Sequence, residues 1–72
     1  QDVRAAADGE VVFAGWAGGH GNRVEILHDS GVVTGYSHLS SVLVVRGARV
    51  RRSQPVGLAG RTGRVTGPHL HF

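Results

Sequence analysis

The sequence predicts a mainly-β fold, a compact antiparallel β-sandwich or barrel-like domain that occupies residues 1–72 as one unit. Two observations support this prediction. Twelve glycines interrupt short valine-rich runs, which is typical of strands joined by tight turns. No stretch of useful length repeats apolar residues at the three- to four-residue spacing of an amphipathic helix. In such a fold the turns carry most of the polar chemistry.

The first half of the chain predicts three strands, separated by a glycine-rich loop and a tight turn. In the middle strand, Val24 and Ile26 alternate with polar neighbours, so both point to one face. The stretch HDSG contains the Asp, Ser and Gly that turns favour, so the flanking strands form an antiparallel hairpin over 23–36. In chain order, the elements are the strand 9–15, the loop 16–22, the strand 23–27, the turn 28–31 and the strand 32–36.

The second half predicts shorter strands and tighter corners. Glycines and Pro55 break the region 46–63 into short pieces. The apolar side chains expected to point inward there are those of Val50, Val56 and Leu58. In chain order, the predicted elements are the loop 37–41, the strand 42–45, the short strands and corners of 46–63, and a closing strand 67–72.

The composition excludes several kinds of chemistry. The net charge is +3, and all eight positive charges come from arginine. Without lysine there is no Schiff base, no lipoyl or biotin attachment and no P-loop, and without cysteine there is no disulfide or thiolate. No aromatic residues interleave with the arginines, so a solvated basic rim is preferred and no nucleic-acid partner is predicted. No segment approaches the ~18 apolar residues of a membrane span.

The five histidines are the main candidates for chemistry, since no GxSxG motif or paired carboxylates occur. His69 and His71 are two residues apart in the closing strand, which puts both on one face with Cα atoms about 6–7 Å apart. That spacing suits two imidazoles beside one metal ion, with two surface histidines as the alternative. His38 follows a predicted strand end, where catalytic groups often lie. His28 is interpreted as structural, with its ring bonded to the backbone of its own turn, and His20 as a surface residue.

Motifs along almost the whole chain resemble one enzyme family, the lysostaphin-type (LytM-like) zinc metallopeptidases. The passage GxGNxV occurs as Gly19, Gly21, Asn22 and Val24. The final passage is long and specific, which makes a chance match very improbable. The stretches that carry the resemblance are AAADGEVVFAG (5–15), GYSHLS (35–40) and GLAGRTGRVTGPHLHF (57–72).

The resemblance implies a function and a set of site residues. Enzymes of this family cut peptide bonds in bacterial peptidoglycan, which implies a periplasmic or extracellular, wall-associated location and a peptidoglycan peptide as partner. Their fold is of the duplicated hybrid motif type, and their cofactor is Zn2+. The zinc is held by an HxxxD motif and by the second histidine of HxH, which is His71 here. His69 and His38 match the two catalytic positions beside the attacking water, and either could be the general base.

The same resemblance gives three further features a place near the substrate. The glycine loop 17–22 is expected to form a wall of the substrate groove. Asn22 either fixes the turn of this loop or touches the substrate, and the first role is favoured. Tyr36 shares strand parity with His38, so it either lines the groove or packs inside the domain.

One departure from the family pattern leaves an alternative open. No HxxxD occurs, since the residue four places after His20 is Val24. The motif order of the family leads us to expect HxxxD before Gln1, so the domain would be N-terminally incomplete and inactive as residues 1–72 alone. The alternative is a catalytically inactive relative that binds peptidoglycan and activates a wall amidase. A phosphohistidine sugar carrier is a weaker rival, and the oligomeric state has no sequence signal.

Overall fold

The computed structural model describes residues 1–60 in full and, beyond them, the backbone of Leu70 and His71. The strands of this part of the chain are β1 (Asp2–Arg4), β2 (Gly9–Trp16), β3 (Asn22–His28), β4 (Val33–Val42), β5 (Arg49–Val50), β6 (Pro55–Ala59) and β7 (Leu70–His71). They form one curled antiparallel sheet in the order β1-β6-β4-β3-β2-β5, and β7 pairs with β4 outside that path. The mainly-β prediction is confirmed, in its barrel-like form.

The core of the described residues lies on one face of this sheet. Val24 and Ile26 in β3 are fully buried, as their alternation predicts. Burying a side chain of this size stabilises the fold by about 1.5–3 kcal/mol. Leu58 is only partly buried, although it was predicted to point inward. The buried apolar set, which includes the other two predicted valines, is Ala5, Val11, Val24, Ile26, Tyr36, Leu39, Val50 and Val56.

The hairpin predicted over 23–36 is present as β3 and β4. Two backbone hydrogen bonds close its turn: His28 N donates to Val32 O at 2.8 Å, and Gly31 N donates to His28 O at 2.9 Å. Gly31 has a φ of 91°, which glycine adopts without steric cost. The turn therefore sets the register of β4, the strand that carries His38.

Two predictions for the middle of the chain are wrong. β4 continues to Val42 through the predicted loop 37–41, and only the first residue of the predicted strand 42–45 belongs to a strand. Both edges of β4 are paired, with β3 on one side and with β7 and β6 sharing the other. Pairing on both edges overrides the polar, loop-like composition of SHLSS. No sequence pattern predicted β1, which pairs with β6.

No helix in the described part of the chain is long and apolar enough to cross a membrane. The one helical element there is a single 3-10 turn at Gly18–His20, within the predicted glycine loop. This turn lies between β2 and β3, at the end of the sheet opposite the β3–β4 turn. The fold thus separates a glycine-loop end, near His38, from a hairpin-turn end, near His28.

Candidate active site beside strand β4

A β-bulge in β4 positions His38. The register of β4 against β3 shifts by one residue between Tyr36 and Leu39, so that Arg23 faces two residues of β4. His38 has a φ of 58°, in the left-handed region that few non-glycine residues adopt. Bulges bend a strand and redirect its side chains, and they are frequent beside active sites. As a result Leu39 lies in the core while His38 stays half-buried beside the glycine loop.

Tyr36 packs into the core and does not line a groove with His38. Its side chain is 2% exposed, and its hydroxyl accepts a hydrogen bond from Ala6 N at 2.9 Å. The same hydroxyl lies 2.9 Å from Thr34 Oγ1, at hydrogen-bonding distance. Strand parity places Tyr36 and His38 on one face, but the bulge between Tyr36 and Leu39 breaks that parity. Of the two roles left open for Tyr36, packing is the one observed.

β7 brings the closing motif to the strand that carries His38. The backbone of His71 pairs directly with Gly35 in β4. The strand of the predicted zinc ligand therefore lies beside the strand of a predicted catalytic residue. His69, the other predicted catalytic residue, lies outside the described residues. Among those that are described, no three His, Asp or Glu side chains come together to hold a metal ion.

The glycine loop closes against His38. A Cβ placed on Gly21 would lie 3.8 Å from the His38 Cα and 3.8 Å from Cζ3 of Trp16. Both distances are ordinary van der Waals contacts, so the space would admit a side chain, and glycine is favoured here by its φ of 66°. Asn22 Nδ2 donates to Leu39 O at 3.1 Å, which ties the end of the loop to β4. The favoured role of Asn22, fixing the loop, agrees with this contact.

A network centred on Arg23, which no sequence motif indicated, joins this loop to β4. Arg23 Nε donates to Glu25 Oε2 at 2.9 Å, and Nη1 donates to the Ser37 hydroxyl. That hydroxyl lies 3.3 Å from Nδ1 of His20, which is exposed on the loop as predicted. The guanidinium fills the space in which a Cβ on Gly35 would lie. The alternation of β3 predicts that Arg23 and Glu25 share one face, but it does not predict their partners.

His28 is a structural residue, as predicted, although its partners are not in its own turn. The residue is 6% exposed. Nδ1 lies 2.9 Å from Asp8 O, and Nε2 lies 2.7 Å from Thr34 Oγ1. Both ring nitrogens are thus engaged by the fold, far from His38.

Replacing His28 with Ala is expected to destabilise the domain by about 2–4 kcal/mol, because it opens a cavity and leaves the Asp8 carbonyl and Thr34 hydroxyl unpaired. Denaturant unfolding of the full-length protein measures this loss. At a temperature where the variant is folded, its metal content should be unchanged. A variant that is fully stable but has lost metal would contradict the structural role.

An open surface cleft beside His28 is not the candidate site, because its polar groups serve structural bonds. Asp8 Oδ1 accepts from Arg52 N at 2.7 Å. Arg49 Nη2 donates to both carboxylate oxygens of Asp29, at 2.9 and 2.8 Å. The hydrogen bond to Asp29, followed by the attraction of its charge, raises the pKa of Arg49 above its ordinary value. The candidate site therefore stays at the end of the sheet near His38, where the sequence motifs place it.

Comparison with known proteins bears on the whole chain. The family described as Peptidase family M23 matches residues 1–72. The chain belongs to this family. The resemblance to lysostaphin-type peptidases is thereby confirmed, and the three motifs that carry it fall within the matched range. Strand β4 contains Tyr36, His38 and Leu39 of the YxHL motif, and its partner β7 contains Leu70 and His71 of the HxH motif.

Two curated relatives illustrate how far the similarity extends. DD-carboxypeptidase/endopeptidase Mpg of Neisseria meningitidis is 51% identical over 70 residues, which cover 97% of this chain and 16% of Mpg. Glycyl-glycine endopeptidase ALE-1 of Staphylococcus capitis is 46% identical over 72 residues, which cover 97% of this chain and 20% of ALE-1. The chain thus spans a fifth or less of the length of these relatives.

Solved structures share the fold of this M23 chain. The catalytic domain of lysostaphin from Staphylococcus simulans superposes with a TM-score of 0.85 at 40% identity, over 99% of this chain and 55% of that one. A zinc-containing peptidase from Vibrio cholerae gives a TM-score of 0.79 at 42% identity, over 97% of this chain and 22% of that one. These matches support the curled antiparallel sheet as the common architecture.

Proposed function

We propose that the full-length protein is a zinc-dependent endopeptidase that hydrolyses peptide bonds of bacterial peptidoglycan, in the periplasm or outside the cell. The observation that carries this proposal is the pairing of β7 with β4, which sets the HxH strand beside the strand of His38. The relatives add support, because Mpg is named a DD-carboxypeptidase/endopeptidase and ALE-1 a glycyl-glycine endopeptidase. The substrate is the peptide part of the wall.

The residues assigned to the zinc site suit zinc in donor type, and they would supply part of the ligand set. Zinc in proteins is held by imidazole nitrogens and carboxylate oxygens, usually with three protein ligands in catalytic sites. His71 would be one ligand, and the HxxxD expected before Gln1 would complete the set. A bound zinc ion lowers the pKa of water towards ~7 and polarises the carbonyl of the scissile bond.

The remaining chemistry falls to the chain's own histidines. An imidazole ordinarily titrates near ~6.5, so it can accept and return a proton at neutral pH. His38 and His69 would take the proton from the attacking water, return it to the leaving amine and donate a hydrogen bond to the oxyanion. The bulge in β4 holds the His38 backbone in one conformation, and the glycine loop restricts the space beside it. Such fixed placement is what efficient proton transfer requires.

The test of this proposal is zinc-dependent release of amino groups from purified peptidoglycan by the full-length protein. Each hydrolysed peptide bond frees one amine, so activity should disappear with a chelator and return with added zinc. Two defined substrates, a D-alanyl cross-linked peptide and pentaglycine, would identify the bond. Undiminished hydrolysis without metal would contradict the proposal. So would stimulation of a wall amidase with no new amino groups, which is the behaviour of the non-catalytic alternative.

A further inference from the structure

Trp16 is a large apolar side chain that is exposed among the described residues, at the same end of the sheet as His38. It ends β2, pairs with Asn22, and is 71% exposed. Aromatic side chains bury 150–250 Å² in typical cores and interfaces, so an exposed indole leaves a large contact area unused. Val45 has the same exposed fraction but a much smaller surface, and it lies next to the Gly47–Val11 backbone contact, away from His38.

The indole lies close to the backbone of His38, a predicted catalytic residue. Cζ3 of Trp16 and the Cα of His38 both lie 3.8 Å from the place of a Gly21 Cβ, so they are no farther apart than twice that distance. Two residues of extended peptide span about 7 Å. The His38 imidazole extends beyond its Cα, so a substrate peptide whose scissile bond lies at that ring reaches Trp16 within a few residues of the bond.

Among the described residues, the surface around the indole is open. A Cβ placed on Gly15, Gly18 or Gly19 would meet no atom within 4 Å. The glycine loop thus offers a strip of bare backbone beside the ring. A flat, narrow ligand can lie there, and a peptide of small residues has that shape.

We propose that Trp16 is a substrate-binding platform on which a peptide segment of small residues, glycine or D-alanine, stacks within a few residues of the scissile bond. The proposal rests on the peptidase function proposed above. The ring face takes up peptide planes and methyl groups by apolar contact, and the indole N–H can donate to a peptide carbonyl. Bulky side chains would lift the peptide off the ring, so Trp16 also contributes to specificity.

Kinetics of the full-length protein give the first test. Trp16→Ala should raise KM about tenfold with little change in kcat, because stacking holds substrate and transition state alike. Trp16→Phe should stay within about threefold of the parent, since a ring remains. Val45→Ala, an equally exposed control away from the site, should leave KM unchanged. An unchanged KM in Trp16→Ala would overturn the proposal.

Fluorescence gives a second test that does not depend on hydrolysis. Trp16 is the one tryptophan of the sequence, and subtracting the emission of Trp16→Phe isolates its signal in the full-length protein. Rapid mixing with tetraglycine, or with a D-alanyl-containing peptide, should shift that emission towards a buried indole, and tetraleucine should not. An indole already buried before mixing, or an equal shift with peptide-free glycan strands, would refute the platform. An emission shift without amine release would support the binding platform and contradict the peptidase function.

Discussion

Replacing His71 with Ala in the full-length protein is expected to remove both the bound zinc and the hydrolysis of peptidoglycan. A catalytic zinc site has about three protein ligands, so losing one takes away a large part of the binding energy. The measurement is zinc content after dialysis, together with amine release from peptidoglycan. Retention of stoichiometric zinc by this variant would show that His71 is not a ligand.

Variants of the two other predicted residues should differ from His71→Ala in the same assay, because they should lose activity but keep zinc. His38→Ala and His69→Ala are each expected to lose about 10²–10⁴-fold in kcat, the usual contribution of a general acid or base, while keeping the zinc. His28→Ala serves as the matched histidine control, because its ring is engaged by Asp8 and Thr34. It should keep both zinc and activity when folded. Loss of zinc from His38→Ala would reverse the assigned roles.

Much of the sheet could be predicted because local patterns and tertiary structure agree there. Val24 and Ile26 alternate with polar residues, and a sheet with one buried face requires that period of two. The turn of the β3–β4 hairpin contains Gly31 at a positive φ, which the HDSG stretch indicates from residue types alone. Register follows from such turns and from the buried face. These elements therefore need no knowledge of distant partners.

The placement of His38 could not be predicted, because it depends on pairing with three separate strands. β4 is held by β3 along one edge and by β7 and β6 along the other, and this pairing extends the strand through a polar stretch. The bulge at His38 then breaks the alternation on which the parity of Tyr36 was based. The Arg23 network has the same origin, since Ser37 and Gly35 meet Arg23 only across the sheet.

Replacing Gly60 with Ala is expected to lower both stability and activity, because the new methyl group would overlap the carbonyl oxygen of His38. Gly60 follows β6, whose Ala59 pairs with Leu39, so neither backbone can withdraw without breaking that pairing. Overpacking of this kind costs about 1–3 kcal/mol. The strand shift would also move His38, and we expect kcat to fall at least about tenfold, since misplacement by about 1 Å can cost 10²-fold.

Two glycine substitutions distinguish the displacement of His38 from general destabilisation. Gly9→Ala also brings a Cβ against a backbone carbonyl, 2.5 Å from Leu27 O, but at the far end of the sheet. It should lose comparable stability in denaturant unfolding, with kcat retained while the protein is folded. A Cβ on Gly19 meets no described atom within 4 Å, so the unfolding free energy of Gly19→Ala should change by less than about 0.5 kcal/mol. If Gly9→Ala lost as much kcat as Gly60→Ala, the activity loss would follow from lowered stability, and the contact between Gly60 and His38 would have no catalytic role.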